Sequence, residues 1–241
     1  MKNCRQFVVA ILGASLLCGC GSLPGKPAKD SEMLAPDQIM DFAVLYRENC
    51  AGCHGADGKG GAAIALADPV YLTIADDAAI RKVVTKGERG TAMSAFAQSA
   101  GGMLTDKQIE VLIKGIRSSL NKDGTIESAN PPSYSAKNPG DVARGAVVFQ
   151  TYCESCHGPG GRGGQKGSSI TNSAYLALVS DQTLRTVVIT GRPELGAPDW
   201  SRNIPGKPMS EQEITDVVAW LTAQRAQNTQ QINSGSNTTQ P

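Results

Sequence analysis

Two short stretches constrain this 241-residue chain more than anything else in it: Cys50-Ala51-Gly52-Cys53-His54 and Cys153-Glu154-Ser155-Cys156-His157. Both place two cysteines two residues apart with a histidine directly after, and both open into glycine-rich sequence. The chain has two histidines, and each closes one of these motifs. Four of its seven cysteines lie in them. The other three, Cys4, Cys18 and Cys20, fall in the first twenty residues, so none remains for a structural disulfide.

The spacing C-x-x-C-H reads as a c-type haem attachment site. Two thiols one helical turn apart can each form a thioether to a porphyrin vinyl group, and the histidine can then bind the iron from one face. The competing reading of four cysteines and two histidines is zinc. It is the weaker one, because the ligand pairs sit in separate repeats and a zinc ribbon has no need of the trailing histidine twice. Composition points the same way. Aromatic residues make up only 5% of the chain, thin for two cores. A flat apolar macrocycle in each small domain would supply what the side chains lack. The 23 basic and 22 acidic side chains nearly cancel, which gives no case for nucleic acid binding. Two haem c groups are the expected cofactors.

Residues 1–20 read as a targeting segment: Lys2 and Arg5 precede an apolar run, Phe7 to Leu17, too short to span a bilayer. It ends Leu17-Cys18-Gly19-Cys20, which resembles a bacterial lipobox with Cys20 as the lipidated residue. An ordinary cleaved signal peptide or a retained anchor is the alternative. Several acyl chains on one residue would hold the protein to a membrane. Residues 21–36 read as a flexible tether. Asp37 to Asn49 is expected to be a helix leading into Cys50, and a segment starting near Pro139 does the same for Cys153. From Tyr71–Phe96 to Tyr175–Trp200 the two halves match without a gap. Leu72 pairs with Leu176, Arg81 with Arg185 and Gly87 with Gly191. Asp77–Lys86 and Asp181–Thr190 read as helices ended by glycine. Thr105-x-x-Gln108 and Ser210-x-x-Glu213 are capping boxes that open a last helix in each half. Residues 121–137 are the expected linker, and 227–241 an expected disordered tail.

A C-x-x-C-H after an N-terminal helix, a glycine-rich loop, a short middle helix and a C-terminal helix resembles class I cytochrome c. The resemblance covers residues 37–120 and 138–226. It implies an all-α fold of two tandem domains, each a small helical bundle around one covalently bound haem. It also implies a distal methionine in the loop before the last helix. In the first domain that pattern falls on Met93, with Met103 as a minor competitor. In the second, Ala197 stands opposite Met93, and alanine cannot ligate iron. Met209 is the remaining methionine there, directly before Ser210. It reads either as a hydrophobic staple onto Ile214 or as a ligand through a rearranged loop, and Lys207 and Asn203 stay open as well.

The expected function is electron transfer by a diheme cytochrome. The lipid anchor would hold it to a bacterial membrane, facing the periplasm or the exterior. Its partners would be a redox donor and acceptor, such as a respiratory or photosynthetic complex. Each domain is close to neutral, so docking should rely on apolar contact rather than on steering. The alternative is a haem enzyme of peroxidase type, or a small-ligand sensor, using an open iron near Ala197 with Asp199 as the best acid. A subunit role in a larger respiratory assembly is a third reading. Gly158-x-Gly160-x-x-Gly163 matches a dinucleotide fingerprint by letters only, because it follows a haem motif rather than a strand.

Overall fold

The computed structural model describes residues 34–121, 124 and 130–235. The expected signal segment with Cys20, most of the tether, parts of the linker, and residues 236–241 lie outside the described residues. Contacts divide the chain after Gln38, and both repeats fall in one compact unit from Ile39 onward. The described residues form helices and two isolated bridges, with no strand among them.

The first repeat contains α1 (Phe42–Asn49), α2 (Ala51–His54), α3 (Pro69–Ile74), α4 (Asp77–Lys86) and α5 (Asp106–Gly115). The second contains α6 (Val142–Tyr152), α7 (Glu154–His157), α8 (Ser173–Ala177), α9 (Asp181–Thr190) and α10 (Glu211–Gly235). Two expectations need correction. The helix before Cys50 begins at Phe42 rather than Asp37, because the Asp41 carboxylate caps it by accepting from Val44 N, while Pro36 opens only a 3-10 turn. The tail is not irregular from residue 227, since α10 continues to Gly235. Helices α4 and α9 have the bounds read from the sequence. Thr105 and Gln108 close the full capping box expected of them.

Each repeat has its own core. Leu45, Tyr46, Ile80, Ile109, Leu112 and Ile113 lead the first, with Cys50, Ile64, Met93 and Phe96 packed against it. Phe149, Tyr152, Ile189, Trp200, Met209 and Ile214 lead the second, with Cys153 and Ile170 against it. The second core also takes in Val70, 3% exposed, and Ile74, both from α3 of the first repeat. In both repeats the first and last helices cross at a glycine. A Cβ on Gly115 would meet the Phe42 ring at 1.9 Å, and one on Gly145 would meet the Asp216 carbonyl at 2.0 Å.

One arginine per repeat ties the last helix to the middle of the fold. Arg117 donates to the carbonyls of Leu72 and Ala75 and pairs with Asp77. Arg225 donates to the carbonyls of Leu176 and Val179 and to Asp181, each at 2.9 Å. The three groups held are equivalent, but the arginines are not at equivalent positions. The first repeat ends α5 in a π turn, Ile116–Leu120, and the second reaches its targets from the next turn of a regular helix.

Candidate haem centres

Each C-x-x-C-H motif folds into a one-turn helix, α2 or α7, that follows the preceding long helix directly. None of the four motif cysteines forms a disulfide. Burial pushes Cys50 up to about 11 and Cys153 up to about 12, with their paired thiols adding to the effect. Among the described residues no group of three His, Cys, Asp or Glu side chains could hold a metal ion, which disfavours the zinc reading.

The histidines are oriented by the backbone. His54 Nδ1 lies 2.8 Å from the Ile64 carbonyl, and His157 Nδ1 lies 2.8 Å from the Ser168 carbonyl. A carbonyl only accepts, so Nδ1 carries the proton and Nε2 keeps its lone pair for a metal. Burial lowers the His54 pKa, opposed by the bond to Ile64, and keeps the ring neutral. The loops that supply these carbonyls are pinned beside the motif. Gly60 N donates to His54 O at 2.9 Å, and Gly163 N donates to His157 O at 2.8 Å. A Cβ on Gly55 would lie 2.5 Å from the Gly60 carbonyl, and one on Gly158 would lie 2.2 Å from the Gly163 carbonyl. Both glycines have φ near +70° to +84°, so the turn needs glycine for its conformation and its space. Two thiols, an imidazole aimed by its rear nitrogen and a close glycine loop fit a c-type haem. In the first half Cys50 and Met93 pack against the same core.

The distal loops share one backbone frame. Glu88 N donates to the Met93 carbonyl at 2.9 Å, and Arg192 N donates to the Ala197 carbonyl at 3.0 Å. Gly87 and Gly191, both with φ +69°, pass under these loops so closely that a Cβ would lie 2.6 Å from the Met93 or Ala197 carbonyl. Ala197 therefore occupies the place of Met93. Met209 occupies the place of Leu104. Met209 N donates to Trp200 O at 2.9 Å, as Leu104 N donates to Phe96 O at 2.7 Å, and Met209 is 3% exposed in the core with Ile214. Met103 is 78% exposed. Lys207 is exposed, with its ammonium 5.3 Å from the Tyr152 ring centroid. Asn203 is half-buried. The Asp199 carboxylate is buried but engaged, accepting from Ser201 N, Ser201 Oγ and Arg202.

Residues that sequence reading passed over connect the two halves. The Arg192 side chain donates from Nη2 to the Gly61 carbonyl at 2.7 Å and pairs with Glu194. Glu194 sits over Gly60, where an added Cβ would lie 2.7 Å from Oε1. The repeat itself held the signal, since Arg192 replaces Glu88 at a matched position.

The chain matches the family model described as cytochrome c oxidase, cbb3-type, subunit III over residues 27–114 and 140–221. It is 30% identical over 201 residues to the Cbb3-type cytochrome c oxidase subunit CcoP of Azospirillum sp. (strain B510), covering 73% of this chain and 62% of that protein. It is 25% identical over 229 residues to the cytochrome bc1 complex cytochrome c subunit of Corynebacterium diphtheriae, covering 85% and 75%. With the Cbb3-type cytochrome c oxidase subunit FixP of Azorhizobium caulinodans it shares 28% over 162 residues, covering 62% and 49%. The chain thus spans less than two thirds of the CcoP and FixP relatives named here. With two matched halves, each an all-helical repeat carrying a C-x-x-C-H motif, the chain belongs to this cytochrome c family, with two haems c.

Proposed function

We propose that Cys50 and Cys53 attach one haem with His54 as its axial ligand, and that Cys153 and Cys156 attach the other with His157. What supports this is the pair of Nδ1-to-carbonyl bonds, at 2.8 Å in both halves, which leave each Nε2 its lone pair in a motif whose two cysteines form no disulfide. Each haem supplies an iron that gains and loses one electron. Met93 is the distal ligand in the first domain. The second domain offers no sulfur from that position, and Met209 stays in its core. The second centre is then five-coordinate or takes an atypical sixth ligand. Ala197 at the register of Met93 also favours small-ligand binding there as a second reading.

The domains are residues 37–120 and 138–226. The partners are redox proteins of a respiratory complex, a reading supported by the relatives, which are named as subunits of a cbb3-type oxidase and a cytochrome bc1 complex. Anchoring through a lipidated Cys20 confines the search to a membrane surface. Among the described residues no helix is long and apolar enough to cross a membrane. The test is electron paramagnetic resonance of the oxidised protein, followed by carbon monoxide on the reduced protein. One low-spin and one high-spin or atypical signal, with carbon monoxide binding to one haem per chain, is expected. Two low-spin His/Met signals would overturn the assignment of the second site. Cys20→Ala should move the protein from the membrane to the soluble fraction.

A further inference from the structure

We propose that Arg192 is the positioning residue for electron exchange between the two domains. It sets the second distal loop against the attachment loop of the first haem. The proposal rests on the assignment of the haems to the two C-x-x-C-H motifs.

Arg192 is bound on both sides. Its backbone N–H donates to the Ala197 carbonyl and its carbonyl accepts from Ala197 N, both at 3.0 Å. Its guanidinium crosses to the other domain and donates to Gly61 O at 2.7 Å. Gly61 N in turn donates to Ala63 O at 3.3 Å, and Ala63 N donates to Cys53 O at 3.0 Å. A continuous chain of hydrogen bonds therefore runs from the distal position of one domain to an attachment cysteine of the other. The Arg192 side chain is 18% exposed, and Glu194 holds it from the side over Gly60. A charge-assisted bond from an arginine braced by a carboxylate fixes a direction that an unbraced side chain would not.

The contact is one-sided. The equivalent of Arg192 in the first domain is Glu88, an acceptor that cannot donate to a carbonyl. The apolar part of the interface is one-sided too. Val70 and Ile74 of α3 pack into the second core, whereas their counterparts Ala174 and Leu178 are exposed. The two domains are thus joined by a particular set of groups in which the second distal loop and the first attachment loop meet. The step served is a one-electron exchange. One domain is oxidised as the other is reduced, and no covalent bond forms or breaks. Such an exchange depends on how close and how fixed the two centres are.

The experiment uses the two-haem protein and the variants Arg192→Ala and Arg192→Lys. One haem is reduced by a light pulse, and the approach to redox equilibrium between the haems is followed. Haem content and the paramagnetic spectrum of each centre are recorded in parallel. In Arg192→Ala the inter-haem rate should fall severalfold, because the separation and orientation of the two centres lose their fixed value. Haem content and both spectra should stay as they were. Arg192→Lys keeps the charge but loses the braced fork and should recover only part of the rate. An unchanged rate in Arg192→Ala, with two haems present, overturns the role of Arg192. A general loosening would slow Arg192→Ala and Val70→Ala equally, and that outcome also overturns it. A protein that lacks two covalent haems points instead to failure of the site assignment.

Discussion

The two domains solve the same helix crossing with opposite residues. In the first, the aromatic Phe42 on α1 lies over Gly115 on α5. In the second, Gly145 on α6 lies under α10, where its Cβ would meet the Asp216 carbonyl and the Trp220 Cβ. Phe42 and Gly145 are equivalent, as are Gly115 and Trp220. Large and small have changed sides, yet each crossing keeps one of each, because a close-packed interior fixes the combined volume and not its owner. Trp220 then stacks on Phe149, with ring centroids 4.3 Å apart, whereas in the first domain Phe42 packs on Tyr46 at 5.6 Å. The haem-facing loops differ in another way. The attachment loops keep the bond from the loop glycine to the histidine carbonyl and the bond from Nδ1 to a loop carbonyl, although the second holds one residue more before Ser168. The distal loops keep the backbone frame and lose the methionine.

The ligand difference should give the largest effect. Met93→Ala should turn the low-spin signal of the first haem entirely into a high-spin or water-bound one. Ala197→Met should do the reverse at the second, since Ala197 already has the backbone register of Met93. Paramagnetic resonance of both variants reads this directly. If Ala197→Met leaves the second haem unaltered, the shared frame does not set the ligand.

A second difference lies in a matched pair of arginines. Arg81 pairs with Glu110 at the surface, both side chains 42% exposed. Arg185 is 3% exposed and serves Glu211, Thr215 Oγ1 and the carbonyls of Ser133 and Tyr134. The linker runs over Arg185 and buries it. Losing Arg185 leaves the Ser133 and Tyr134 carbonyls without their donor and Glu211 without its partner, which should cost more than the roughly 0–1 kcal/mol of an exposed pair. Chemical denaturation of Arg185→Ala and Arg81→Ala should show that gap. Equal losses would mean that the linker does not shield the second site.

The glycines come next. Overpacking a tight crossing costs about 1–3 kcal/mol. Gly145→Ala meets backbone and has nothing flexible to displace, so it should reach the top of that range. Gly115→Ala meets the Phe42 ring first. Combined with Phe42→Leu, it should recover much of its loss in thermal unfolding, and no single side-chain truncation should rescue Gly145→Ala.

Much of this was legible beforehand because it follows from local rules. The bounds of α4 and α9, the capping box at Thr105, and the place of Ala197 opposite Met93 came from spacing and from the gapless repeat. The start of α1 was missed because Pro36 is a strong local signal, and it outweighed the Asp41 cap five residues on. The helical extension of α10 was missed because a polar composition does not exclude a helix continuing from a packed one. Arg117 and Arg225 were illegible for a different reason. Each donates to backbone carbonyls far along the chain, and a carbonyl leaves no letter in the sequence. The exchange at Phe42 and Gly145 was invisible until the two helices were seen to cross.

The smallest expected effect carries the sharpest distinction. Leu104 and Met209 occupy one position, before the N-cap of the last helix, each bonded back to the aromatic at the end of its distal loop. A volume-conserving exchange of leucine and methionine in a core costs less than about 1.5 kcal/mol. Met209→Leu and Leu104→Met should therefore be matched small losses if Met209 is only a staple. As a ligand, Met209 would make the two unequal: its loss would alter the spectrum of the second haem as well as the stability, while Leu104→Met would leave the first haem unchanged. The position packs against Ile214, which is fully buried, and lies in the same cluster as Trp200. Met209 has the burial and the backbone bond of Leu104, so an unchanged spectrum in Met209→Leu is the outcome expected.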